Sequence, residues 1–167
     1  MGMNRAPSTR KIVRDPEALQ AIVAAHRAAG RTIVLTNGTF DLLHVGHVRA
    51  LEGAREQGDV LVVGVNNDSS VRAYKGEGRP VIPEEERAEL LACLACVDVV
   101  TFFGEATAEV LIRRVVPDVW AKGRDYSEAT LPEAHVVKEL GGAIAIVGDP
   151  KDHAASDVID RIRGSGD

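Results

Sequence analysis

Long apolar runs are missing from this 167-residue chain. No uninterrupted stretch approaches the roughly 20 residues that span a bilayer. Residues 1–14 carry scattered charges and no apolar segment, so neither an export signal nor a membrane anchor is expected, and the chain reads as cytoplasmic with a flexible N-terminal tail. An excess of basic charge is missing as well. At a formal net charge of -5 there is no broad positive surface for a nucleic-acid backbone. Any phosphate the chain handles therefore belongs in a local pocket.

Cysteine is scarce: Cys93 and Cys96 are the only two. Their spacing suits a redox pair or half a zinc site, but zinc needs two more ligands and no second pair exists. The apolar run 90–97, following Glu84-Glu85-Glu86, instead predicts a buried helix using cysteine as a small hydrophobe. Two phosphate-binding devices are also absent. Without Gly-x-Gly-x-x-Gly or Gly-x-x-x-x-Gly-Lys-Ser/Thr, the dinucleotide-oxidoreductase and P-loop readings fall. No internal repeat or low-complexity segment is found.

What is present is a globular balance, 45% apolar and 27% charged, enough for one domain with a continuous core, placed at 15–164. Apolar runs of strand length alternate with amphipathic stretches of helix length. The predicted strands are 32–36, 60–65, 97–102, 119–122 and 143–147, and the predicted helices 15–29, 45–57, 83–94, 107–116, 132–140 and 156–163. Residues 66–78, polar and glycine-bearing without a sustained period, read as an active loop with at most a helical turn. Parallel strands need long right-handed crossovers. The expected fold is accordingly α/β: a doubly wound, five-stranded parallel sheet, Rossmann-like, with helices on both faces. Ligands of such sheets bind at the carboxyl ends of strands, where the strand order reverses.

The first strand runs directly into Thr36-Asn37-Gly38-Thr39-Phe40-Asp41-Leu42-Leu43-His44-Val45-Gly46-His47, and a helix follows. A helix start offers unpaired N–H groups and positive partial charge, and Gly46 removes the side chain that would hold a triphosphate off. His44 and His47, three apart, project to the same side and suit hydrogen bonding to phosphate oxygens during in-line displacement. In isolation such a pair is as readily a helix-start coincidence or half a metal site. The preceding strand and the Asn-Gly-Thr-Phe-Asp turn argue for phosphate chemistry.

The segment Thr36 to His47 resembles the signature of the cytidylyltransferase-like superfamily of nucleotidyltransferases. Further segments resemble the adenylyltransferase half of bacterial heptose-phosphate enzymes: Val63-Gly64-Val65-Asn66-Asn67-Asp68, Tyr74-Lys75-Gly76 with Arg79-Pro80-Val81, Pro83 with Arg87, and Lys122-Gly123-Arg124-Asp125-Tyr126. The likeness covers about residues 33–162. It implies a reaction of ATP with D-glycero-D-manno-heptose 1-phosphate giving ADP-heptose and pyrophosphate, with magnesium accompanying the triphosphate. His44, His47 and Lys75 would carry catalysis. Thr36, Asn37, Gly38, Thr39, Phe40, Gly46, Lys122, Gly123, Asp125 and Ser156 would bind the nucleotide, and Asp41, Asn66, Arg79, Arg124 and Tyr126 the sugar phosphate.

For several of these the plain alternatives stay open at this point. Lys75 and Arg79 also fit a solvated loop, Lys122 to Tyr126 a turn capped by Asp125, Ser156 a simple helix cap, and Asp41 and Asp68 either a cation site or local turn caps. The family's closing hydroxyl-rich segment is thinned here to His153-Ala154-Ala155-Ser156-Asp157, which bears on nucleotide choice and phosphate grip. Two other functions share the motif: a cytidylyltransferase acting on glycerol 3-phosphate or a similar alcohol phosphate, and a nucleotide-binding module without turnover. In the resembling family this half is often fused to a sugar kinase. A chain this short has no room for one, so a separate kinase is expected, and a homodimer is a family-level expectation.

Overall fold

The computed structural model describes residues 7–149 and 155–164, the side chains of Pro7, Ala155 and Ser156 excepted. Helix α1 (Pro16–Ala28) begins where Asp15 accepts hydrogen bonds from the N–H groups of Glu17 and Ala18 with Pro16 in the first turn. Strand β1 (Ile33–Gly38) leads through the signature segment to α2 (Val45–Arg55), followed by β2 (Val60–Asn66), α3 (Asp68–Lys75), α4 (Glu84–Ala92) and β3 (Val99–Phe103). Helix α5 (Glu109–Val115), β4 (Val119–Gly123), α6 (Ala134–Glu139), β5 (Ala143–Val147) and α7 (Ala155–Gly164) complete the order.

All five strands pair in parallel in the order β3-β2-β1-β4-β5. The chain winds outward from β1 to β3, then crosses back to lay β4 against the other side of β1. The strand order thus reverses beside β1, as the doubly wound reading requires. Alternation along the strands divides the core in two. Ile33, Leu35, Val60, Val62 and Trp120 pack with α1, α5 and α6 on one face, whereas Val34, Leu61, Val63 and Ala121 pack with α2 and α4 on the other. Gly64 lets α5 lie against β2, because a methyl group there would sit 2.3 Å from Leu111 Cδ2.

An aspartate stands immediately before each of β2, β3 and β4. Asp59 accepts from the N–H of Thr32, Asp98 from that of Leu61 and Asp118 from that of Ile33, at 2.7–2.8 Å. Each carboxylate thereby satisfies a backbone donor at the start of a neighbouring strand.

Three expectations change. Residues 68–75 form a helix rather than a loop, capped by Asn67 accepting from the N–H of Ser70 and anchored by one buried side chain, Val71. Residues 7–14 are docked rather than loose: Pro7–Lys11 is a 3-10 turn, Ile12 bridges Val100, and Lys11 Nζ donates to the carbonyls of Leu94 and Val97. Cys93 is exposed at the end of α4 and Cys96 half-buried, since Leu91, Ala92 and Val97 take the core positions of that run. Among the described residues no helix is long and apolar enough to cross a membrane.

Candidate active site

A cleft of about 950 Å³ opens along the carboxyl ends of the strands. It brings together most of the residues singled out in the sequence: Asn37 and Gly38 at the end of β1, Thr39, Phe40, Asp41, His44, Gly46 and His47 beyond it, Asn66 at the end of β2, Lys75 on α3, Lys122 and Gly123 at the end of β4, and Arg124, Asp125 and Tyr126 beyond it. Thr36 and Arg79 are outside its wall. Thr36 is buried within β1, and Arg79 turns its Nε to Asp41 at 2.8 Å. His153 and Ala154 lie outside the described residues, and Ser156 is described by its backbone alone, in the first turn of α7.

The histidine pair is built by the turn into α2. Phe40 adopts a left-handed backbone (φ 50°), uncommon for a residue with a side chain, and its ring packs over Gly38 and 5.4 Å from the His47 ring. His44 caps α2 in extended conformation, and the two imidazoles stack with centroids 3.8 Å apart. The N–H of His44 donates to Nδ1 of His47 at 3.4 Å. With Nδ1 accepting, the neutral imidazole of His47 carries its proton on Nε2.

Burial, then His44, then Lys75 hold the His47 pKa down to about 4. At neutral pH His47 is therefore an uncharged hydrogen-bond donor. The folded value lies below the unfolded value of 6.5, so proton uptake favours the unfolded chain. The stability contributed by the neutral ring is complete above pH 6.5 and is lost as pH falls through 4. Proton NMR of the free protein is expected to show one imidazole titrating near pH 4 that is absent from a His47→Asn variant. Adding a non-hydrolysable triphosphate should raise that value, because negative charge favours the imidazolium.

Asp41 is buried and fully engaged. One oxygen accepts from Arg79, the other from the N–H groups of Val81 and Ile82 at 2.8 and 2.9 Å. It positions the 79–82 segment. Lys75 has an ammonium held below the usual lysine range, first by partial burial and then by Arg79 and Arg87, with Asp41 opposing. The hydroxyls of Tyr74 and Thr39 are in contact, which closes α3 over the signature turn.

Arg87 organises this half of the site from beneath. It is fully buried and donates to the carbonyls of Ile82, Thr39 and Asn66 and to the carboxylate of Asp68, the last at 2.7 Å. One planar guanidinium thus joins the signature turn, the end of β2, the start of α3 and the segment before α4. Asp68 serves as its partner and α3's first residue. Following Glu84-Glu85-Glu86, Arg87 reads in sequence as part of a charged surface, and only the resemblance signals it.

Sequence reasoning also missed the wall formed by Phe103, Gly104, Glu105, Ala106, Thr107 and Ala108 after β3, and by Leu131, Pro132 and Glu133 before α6. Nothing in their residue types announces a site. Their position past strand ends is the only signal. At the far end Arg124 Nε donates to the carbonyl of Gly148 at 2.5 Å, tying the β4 and β5 loops together.

The cytidylyltransferase-like family model matches residues 35–159. The Bifunctional protein HldE of Geobacter metallireducens is 44% identical over 162 residues, 97% of this chain and 33% of that protein. Its Streptomyces coelicolor counterpart is 49% identical over 146 residues, 87% of this chain and 31% of that protein. The chain spans about a third of the length of these curated relatives. Among solved structures, the lipopolysaccharide core biosynthesis protein from Thermoplasma volcanium aligns with a TM-score of 0.61 at 29% identity, covering 72% of this chain and all of that one. With the strand order, the stacked histidine pair and a match across most of its length, the chain belongs to the cytidylyltransferase-like family of nucleotidyltransferases.

Proposed function

We propose that the protein joins ATP to D-glycero-D-manno-heptose 1-phosphate, forming ADP-heptose and pyrophosphate. The observation that carries this reading is the stacked His44–His47 pair at the start of α2, facing a cleft large enough for a nucleotide and a sugar phosphate together. Likeness to HldE proteins along nearly the whole chain directs the choice of ATP and heptose.

An oxygen of the anomeric phosphate attacks the α-phosphorus of ATP. The bond from that phosphorus to the bridging oxygen of the β-phosphate breaks, and pyrophosphate departs with the electron pair. The attacking oxygen is already an anion, so no general base is needed. The protein's work is orientation and charge stabilisation. His47 donates from Nε2 beside the first N–H groups of α2, and Lys75 approaches from α3 to offset charge on the leaving phosphates. Both act where negative charge accumulates.

Magnesium neutralises phosphate charge in such reactions. Among the described residues no cluster of three or more His, Cys, Asp or Glu side chains forms a cage for it, and Asp41 is taken up by protein donors. This donor set fits an ion held chiefly by the triphosphate's own oxygens. A kinase is the class of reaction that supplies a sugar 1-phosphate, and the bifunctional name and threefold length of the relatives accord with a second activity in the part they do not share with this chain.

Pyrophosphate release tests the reading, with ATP, CTP, GTP and UTP each crossed with heptose 1-phosphates and glycerol 3-phosphate. Release confined to ATP with a heptose 1-phosphate is expected. Release with CTP and glycerol 3-phosphate would replace this reading by the alcohol-phosphate one, and silence despite nucleotide binding would leave a binding module.

A further inference from the structure

The His-bearing wall of the cleft and its opposite wall differ in chemistry. Lys122, next to last in β4, lies on the same sheet face as Trp120, the face covered by α1, α5 and α6, whereas the histidines sit at the start of α2 across the sheet. The lysine is 9% exposed and reaches the cleft. Its Nζ lies 5.2 Å from the ring centroid of Trp120 and 4.8 Å from that of Tyr126. Among the described residues it has no hydrogen-bond or ion-pair partner; burial holds its ammonium below the usual lysine range, and Glu133 opposes that shift. A deep cation held only by ring faces lacks the anion that would compensate its desolvation.

The surroundings select which anion. Glu105 and Glu133 line the same wall, each using one oxygen to accept from a backbone N–H, of Gly104 and Ala108 respectively. Two carboxylates repel a triphosphate but accept hydrogen bonds from a polyol. We infer that Lys122 anchors the phosphate of the acceptor rather than the nucleotide, with Glu105 and Glu133 receiving the hydroxyls of the sugar that bears it. This inference rests on the proposed function and departs from the nucleotide role that the sequence resemblance gives Lys122. Two phosphorylated substrates then enter from opposite sheet faces and meet above the end of β1, which separates their charges until the reacting atoms approach.

Kinetics and calorimetry on the full chain test it with Lys122→Met, using whichever acceptor the wild type turns over in the pyrophosphate panel. The acceptor KM should rise roughly 10- to 100-fold, the loss expected for a charge-assisted hydrogen bond, while the Kd of a non-hydrolysable ATP analogue stays within about twofold. Lys122→Arg should restore part of the acceptor KM, which a merely structural lysine would not predict. Weakened binding of the ATP analogue with an unchanged acceptor KM would overturn the assignment, as would a folded Lys122→Met protein with wild-type kinetics. If the wild type turns over no acceptor at all, the proposed function falls and this inference with it. Turnover that is indifferent to Lys122 defeats the inference alone.

Discussion

Replacing His47 by alanine lowers kcat by roughly 10²- to 10³-fold, the usual loss for one preorganised donor at a centre of developing charge. ATP affinity is expected to change only a few-fold. The asymmetry follows from geometry: the first N–H groups of α2 and Gly46 remain in the variant and still hold a triphosphate, while the Nε2 donor is lost. Steady-state kinetics with a separate titration of a non-hydrolysable analogue checks this. Equal losses in kcat and affinity would mean that His47 only binds, and the catalytic role would fall. His47→Gln, which keeps an N–H donor, should recover part of the rate.

The second large effect is on stability. Arg87→Met should cost about 3–5 kcal/mol, the usual range when one partner of a buried pair is removed. For a chain of this length that is a drop in Tm of roughly 6–20 °C. Methionine fills much of the volume but leaves the carbonyls of Thr39, Asn66 and Ile82 and the carboxylate of Asp68 without their donor. Arg87→Lys is expected to rescue little, because a single ammonium cannot reach acceptors that Nε and both terminal nitrogens now serve separately. Thermal unfolding with and without an ATP analogue measures both effects. An unchanged Tm in Arg87→Met would refute the organising role.

The parts of this molecule legible in its sequence are those decided locally. The helix at Pro16 is announced by its own aspartate and proline, the strands by unbroken apolar runs, and the histidine pair by a strand that stops where a helix begins. The parts that were not legible depend on distant partners. Helix α3 buries only Val71, and one apolar side chain has no period to detect. The docking of residues 7–14 rests on Lys11 meeting carbonyls 83 and 86 residues away. Asp41 reads in sequence as a cation site or a turn cap, and by resemblance as a sugar-phosphate ligand. Its engagement with Arg79, Val81 and Ile82 depends on a segment about 40 residues downstream returning to the same turn. Lys122 is placed with the nucleotide by resemblance and fits a turn equally well by residue type; its lodging between the Trp120 and Tyr126 rings is announced by neither.

The three aspartates that precede β2, β3 and β4 sit at the edge of the sheet remote from the cleft. Each fixes the offset between two neighbouring strands before either reaches a substrate. Alignment is thus settled at one rim, and the opposite rim inherits it. Insertions or exchanges in the loops after β3 and β4 can then alter what the cleft accepts without slipping one strand past another. The scaffold is tolerant where selectivity is written and intolerant where it is anchored, an asymmetry suited to a fold whose acceptor is to be changed by grafting loops.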